Sequence, residues 1–239
     1  MRLDLHHIAT ENGAIAALAY EPRRPRDLAI VAGHGYSSSK HNLDPLCAFL
    51  AAHGCAMYAL DFPGHKLGAS GGRLRDAEDA VAAVSAAVAL ARSHGFARVL
   101  TLGHSMGAMA ALLATASDAS LLGCIAIATG YGRPTALSAL QRAGATDFRS
   151  GYVDGASLPE LVEGIDRRFD RALPLLRGRQ SLYIAASADA MVSPASVRDL
   201  YERAPDEKRF VTIESDHTEA ASRARAEVLA WLDERFPRS

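Results

Sequence analysis

Short apolar runs of strand length alternate along this chain with longer, alanine-rich stretches of helical period. That alternation limits the fold more than any other feature. Leu3–Thr10 and Ala14–Tyr20 flank Asn12-Gly13, a turn pair whose backbone twist suits a hairpin. Leu28–Gly33, Cys55–Leu60, Val99–Leu102, Gly123–Thr129, Ser181–Ala186 and Arg209–Ile213 read as further strands. Between them, helices are expected over Leu43–His53, Arg75–His94 and Met106–Thr115, from Pro194 with Ser193 as its cap, and in a last stretch to about Phe236. In Arg75–His94, Val81, Val84 and Val88 share a face, and Asp76 and Asp79 sit near the N-terminus, where the helix dipole favours negative charge. In the last helix Ala224, Val228, Trp231 and Leu232 point inward, which makes the single Trp a core residue. Strands alternating with helices predict the α/β class: a mostly parallel central sheet of about eight strands, with helices on both faces.

One stretch interrupts the pattern. Gly130–Arg179 mixes Gly, Pro, Arg and Asp around one amphipathic helix, Leu158–Phe169, with Ser157 and Glu160 as a capping box. Its fifty residues are too few for a second domain beside the roughly 190 that build the sheet and its helices. The expectation is one domain over residues 1–239, with a small helical cap inserted at 130–179.

Composition excludes several function classes. Hydrophobic residues are 49% and charged residues 22% of the 239, ordinary for a globular chain and unlike a disordered one. Twenty-six Lys and Arg against 27 Asp and Glu form no like-charge block, so neither a nucleic-acid groove nor a polybasic membrane patch is expected. Cys47, Cys55 and Cys124 have no CxxC spacing and read as buried hydrophobes in a reducing compartment. The start, Met-Arg-Leu-Asp-Leu-His-His, has no apolar leader region. Val99–Ser117 carries no charge, but the Gly-rich turn in its middle favours a buried strand and a buried helix over a membrane span. The expectation is a cytoplasmic protein.

That turn, Gly103-His104-Ser105-Met106-Gly107, carries the chemistry. A Ser held on a tight strand-to-helix reversal needs neighbours without Cβ atoms, so that the backbone turns sharply and the hydroxyl is exposed. A Ser hydroxyl attacks only when a base takes its proton and a third group orients that base. His217 follows the last strand and Asp189 follows the one before it, so Ser105, Asp189 and His217 fall in the chain order of one triad family.

With these elements in place the chain resembles the α/β-hydrolase superfamily from about residue 27 to 236. The resemblance rests on Gly33-His34-Gly35-Tyr36, Asp61-Phe62-Pro63-Gly64-His65, the Gly103–Gly107 elbow, the Asp189-x-x-Val192-x-Pro194 pattern and the approach to His217. It implies an oxyanion hole made by the backbone N–H of Met106, at a helix N-terminus, and that of Tyr36. The Tyr36 ring either walls an acyl pocket or simply packs. Asp61 precedes the nucleophile and is expected to hold a turn. Asp216 adjoins His217 in sequence and is expected to be solvated, while His34 and His104 read as buried supports for the oxyanion loop and the elbow. The histidines show no metal-ligand spacing: His6 and His7 diverge on a strand, and no His-x₃-His pair exists. Lys66 departs from the family's Gly-His-Gly-x-Ser run and either meets an anionic group or faces water.

The cap carries eight Arg (133, 142, 149, 167, 168, 171, 177 and 179) against six acids, which either favours acidic substrates or is a solvated surface. Its stripe of Leu158, Leu161, Ile165 and Phe169 either roofs an acyl pocket or packs on the body, and Leu158, Leu161 and Ile165 are the candidate substrate contacts. The expected activity is cofactor-free hydrolysis of a small to medium carboxylic ester or thioester. Thioesterase, cofactor-free haloperoxidase and carbon–carbon bond hydrolase chemistries share the triad, and a low-turnover ligand receptor shares the pocket. Oligomeric state is not legible.

Overall fold

Eight strands form one sheet in the order β1-β2-β4-β3-β5-β6-β7-β8. They are β1 (Arg2–Thr10), β2 (Gly13–Glu21), β3 (Ala29–Gly33), β4 (Ala56–Leu60), β5 (Val99–His104), β6 (Gly123–Ile127), β7 (Gln180–Ala186) and β8 (Lys208–Ile213). Only β2 runs against its neighbours; β3 to β8 are mutually parallel. The computed structural model describes residues 1–132 and 149–238. Part of the expected cap, including Arg133 and Arg142, therefore lies outside the described residues.

The helices follow from where the sequence puts its small and apolar side chains. On one face of the sheet lie α1 (Asp44–Ala52), α7 (Ala220–Arg223) and α8 (Arg225–Arg235), whose Leu46, Leu50, Val228 and Trp231 are buried against Ile30, Leu100 and Ile184. On the other lie α2 (Ala77–Ser93) and α3 (Met106–Ser117). Ala80, Ala83, Val84, Ala87, Val88 and Ala91 line the inner face of α2 and let it approach closely; the Asp76 carboxylate caps its start by accepting the Asp79 N–H at 3.1 Å. The charge-free run Val99–Ser117 is thereby explained: β5 is interior to the sheet and α3 is buried nearly all round. Among the described residues no helix is long and apolar enough to cross a membrane. Two shorter helices follow, α4 (Leu158–Val162) and α5 (Ile165–Ala172), the second packed on α3, and α6 (Pro194–Arg203) covers β7 and β8.

Three expectations are adjusted. The first hairpin turns on Glu11 and Asn12, with Gly13 as the first residue of β2 at φ +100°. Leu158–Phe169 is not one helix: Gly164, in the left-handed region at φ +69°, separates α4 from α5. The apolar stripe survives the break, since Leu161, Ile165 and Phe169 are all buried. The last helix is divided at Ala224 into α7 and α8, and Trp231 is buried as its spacing requires.

The strand order places the working end. From β3 the chain steps to β4 on one side; from β5 onward it steps away on the other. Loops leaving the C-terminal ends of β3 and β5 therefore part at this point and leave a crevice between them.

Candidate active site

Ser105 stands in that crevice, between the end of β5 and the start of α3. Its backbone is at φ 55°, ψ −116°, outside the regions an L-residue ordinarily occupies, and is held there by a hydrogen bond from its N–H to the Ile127 carbonyl at 2.8 Å. The glycines around it are required by close main-chain approach. A Cβ on Gly103 would lie 2.1 Å from the Gly107 carbonyl carbon, and one on Gly107 would lie 2.1 Å from the Gly33 oxygen. The strand-to-helix reversal is thus packed backbone against backbone, and the first N–H groups of α3, Met106 included, have no acceptor within the helix.

Asp189 and His217 come together from the loops after β7 and β8. The His217 Nδ1–H donates to Asp189 Oδ2 at 2.6 Å, which leaves Nε2 as the acceptor of that ring. The other carboxylate oxygen of Asp189 accepts the N–H groups of Met191 at 2.8 Å and Val192 at 2.7 Å. Burial alone would push the Asp189 carboxyl up; the His217 ring and these two N–H donors more than offset it and hold the group below its ordinary value. His104 Nε2–H donates to the His217 carbonyl at 2.8 Å, so the residue before Ser105 pins the main chain of His217. Burial and the neighbouring His217 push His104 down to about 4, so its ring is neutral at ordinary pH.

The loop after β3 forms the opposite wall. The His34 Nδ1–H donates to the Gly35 carbonyl at 2.7 Å and Nε2 accepts the Phe62 N–H at 3.1 Å, an arrangement only the neutral ring can make. Burial and the adjacent His65 push His34 well down, in agreement. Gly35 packs against the elbow: a Cβ there would lie 3.2 Å from His104 Nδ1 and 3.5 Å from Ser105 Cβ. Tyr36 is buried, with its hydroxyl donating to the Ala156 carbonyl at 3.2 Å.

Two cavities meet at Ser105. One, of about 20 Å³, is lined by Met106, Met109, Leu161, Val162, Ile165 and Phe169, with Leu158 at its edge; it is almost wholly apolar. The other, of about 70 Å³, is lined in part by His34, Tyr36, Ser37, Arg149, His217 and again Leu158, and is about half polar.

A sequence model of the alpha/beta hydrolase family matches residues 30–237. The chain belongs to that family. Sequence comparison with curated proteins gives no match. In three dimensions this alpha/beta hydrolase is similar to an esterase domain from Rhodothermus marinus, with TM-score 0.74 and 18% identity, covering 98% of this chain and 99% of that one. An esterase from Pyrococcus furiosus gives TM-score 0.74 at 19% identity, over 98% and 92%. A thioesterase domain from the curacin biosynthetic pathway gives 0.66 at 14%, over 97% and 99%. At these identities the likeness is one of fold.

Other residues singled out in the sequence are placed as follows. Asp216 is exposed and accepts the Glu219 N–H at 2.9 Å, ahead of α7. Lys66 lines neither cavity; its ammonium donates to the Gly151 carbonyl at 2.9 Å. Arg179 donates to the Thr115 and Asp118 carbonyls and Arg168 pairs with Glu78, so both tie the 149–179 segment to the body of this hydrolase. Asp61 is buried in a hydrogen-bonded turn, and its partner Lys40, which sequence reasoning passed over, is buried with it. Met109 on the apolar cavity was also missed, since an ordinary core residue carries no signal in sequence; Val192, quoted there only as part of the Asp189 pattern, lines the same cavity.

Proposed function

We propose that this alpha/beta hydrolase is a serine esterase, acting on a small to medium carboxylic ester or thioester through an acyl-enzyme. His217 Nε2 takes the proton of Ser105 as its oxygen attacks the carbonyl carbon, and Asp189 holds the ring in the required tautomer. The N–H groups of Met106 and Tyr36 receive the negative charge of the tetrahedral intermediate, aided by the positive end of α3. The leaving alcohol or thiol departs with the proton from His217, and water, activated by the same base, releases the acid. No cofactor enters this sequence.

The observation that carries the reading is the 2.6 Å bond from His217 to a buried Asp189, on the wall of a cavity that also reaches a Ser on a strained elbow. A binding protein has no use for that combination. The apolar cavity under Leu158, Leu161 and Ile165 suits the acyl group, and the half-polar cavity suits the leaving group. Residues 130–179 act as a cap on a single domain. The esterase neighbours favour an oxygen ester; the thioesterase neighbour keeps the sulfur analogue as the second reading. Three buried, unpaired thiols suit a cytoplasmic setting.

The test is labelling by a fluorophosphonate together with hydrolysis of p-nitrophenyl acetate and an acetyl thioester. Wild-type protein is expected to label and turn over, and Ser105→Ala to do neither. Turnover that persists in Ser105→Ala refutes the assignment.

A further inference from the structure

The oxyanion loop is buried, strained and tied down at both ends, and the tie at its far end is made by two charges that lie outside the chemistry. Residues 34–40 run from β3 to a single 3₁₀ turn at Lys40–Leu43, and Ser37 in their middle sits at φ 57°. A non-glycine residue stays in that region only where its surroundings over-determine it. At the near end the His34 ring is bonded to the Phe62 N–H. At the far end Lys40, 4% exposed, places its ammonium on Asp61 Oδ2 at 2.5 Å and its own N–H on Asp61 Oδ1 at 2.7 Å.

Asp61 is a fixed anchor. It is fully buried at the end of β4, its N–H donates to the Ala16 carbonyl at 2.9 Å, and its carboxylate accepts the Ala69 N–H at 2.8 Å. The 61–70 turn closes over it: a Cβ on Gly68 would come 2.5 Å from its Cγ. Buried ion pairs often add little stability over an apolar pair of the same shape, because both charges are stripped of water. What such a pair does supply is a defined position, and here it lies at the end of the segment that carries the Tyr36 N–H. The loop is already in contact with the elbow through Gly35, so a small slide of residues 35–39 would alter the spacing between the two N–H donors.

Building on the proposed esterase mechanism, we propose that Lys40 and Asp61 are positioning residues, a buried clamp that holds the Tyr36 N–H at the oxyanion site. Lys40 lines neither cavity, so the clamp acts on the intermediate and not on substrate binding. Its loss lowers kcat and leaves KM nearly alone. Misplacing one of two donors costs less than deleting it, so a loss of roughly 10- to 100-fold is expected.

The variant is Lys40→Met/Asp61→Asn in the full chain, which removes both charges and leaves no buried ion unpaired. Lys40→Gln, which keeps a neutral donor of shorter reach, is the second variant should the first not fold. Melting temperature, kcat and KM for p-nitrophenyl acetate, and Ki for an alkylboronic acid are measured. The boronate forms a tetrahedral adduct on Ser105 with an oxygen at the oxyanion site. The folded variant is expected to keep KM within about threefold of wild type, while kcat falls and the boronate Ki rises by matching factors. A folded variant with wild-type kcat overturns the clamp, as does a fall in kcat with no change in Ki. Wild-type protein that neither hydrolyses esters nor binds boronate removes the esterase reading itself, a result distinguishable from these.

Discussion

On the proposed esterase reading, the apolar cavity beside Ser105 sets a limit on acyl length that can be worked from its size. At about 20 Å³ it exceeds the ~10–15 Å³ that one water-sized group needs, and so holds about one methyl. An acetyl group fits. A butyryl group brings two more methylenes, which in a pocket with room would gain about 0.8 kcal/mol each. Here they meet Met109, Ile165 and Phe169, all buried, and forcing extra methylenes into a filled site costs about 1–3 kcal/mol. The wild type is therefore expected to prefer p-nitrophenyl acetate to the butyrate by about 5- to 150-fold in kcat/KM. Met109→Ala clears the side chain beyond Cβ from one wall and keeps a good helix former in α3. It is expected to convert the penalty into a gain, raising the butyrate-to-acetate ratio on the order of 100-fold. The ratio is independent of how much of the variant is folded, so loss of protein does not imitate the result. A wild type that prefers butyrate or hexanoate, or a Met109→Ala ratio within twofold of wild type, refutes the reasoning.

Four further outcomes are expected. Ser105→Ala loses on the order of 10⁴-fold or more in kcat, with substrate protection experiments still reporting binding. Asp189→Asn keeps the fold but frees the His217 tautomer, lowering kcat on the order of 10⁴-fold in a stopped-assay comparison. Acid weakens the fold through His34 and His104. Their rings are neutral when folded, with His104 pushed down to about 4, while the unfolded chain takes up protons below its ordinary histidine value of about 6.5. Urea-unfolding free energy is thus level above about pH 6.5 and falls toward pH 4 by up to about 2.7 kcal/mol per unit; a flat profile between pH 7 and 5 contradicts this. Gly107→Ala drives a methyl into the Gly33 carbonyl and is expected to yield insoluble or strongly destabilised protein on thermal melting.

Ser105, Asp189 and His217 could be picked out as candidates in the sequence because each lies within a few residues of the end of an apolar run whose strand character is unmistakable. Turn chemistry and chain order then supply the rest. Ser157 and Glu160, Ser193 and Trp231 were legible for a similar reason, as local patterns with one physical reading. The break at Gly164 was not, because Leu158, Leu161, Ile165 and Phe169 keep helical spacing across it, and periodicity does not register a single left-handed residue. Lys40 was invisible for another cause. Its partner is 21 residues away, and a lysine among serines reads as a solvated loop until β3 and β4 are laid side by side. Met109 shows that a cavity wall drawn from a core position has no signature of its own.

The contact of Gly103, Gly107 and Gly33 has a consequence for how this molecule tolerates change. Where two elements meet through side chains, their separation drifts whenever a core residue is exchanged for a larger or smaller one. Here the height of the serine above the sheet is set by main-chain contact radii, which no substitution elsewhere alters. Core positions on both faces can therefore be exchanged at a cost in stability while the height of Ser105 stays the same, so that, on the proposed function, resistance to heat and rate of turnover are free to vary separately.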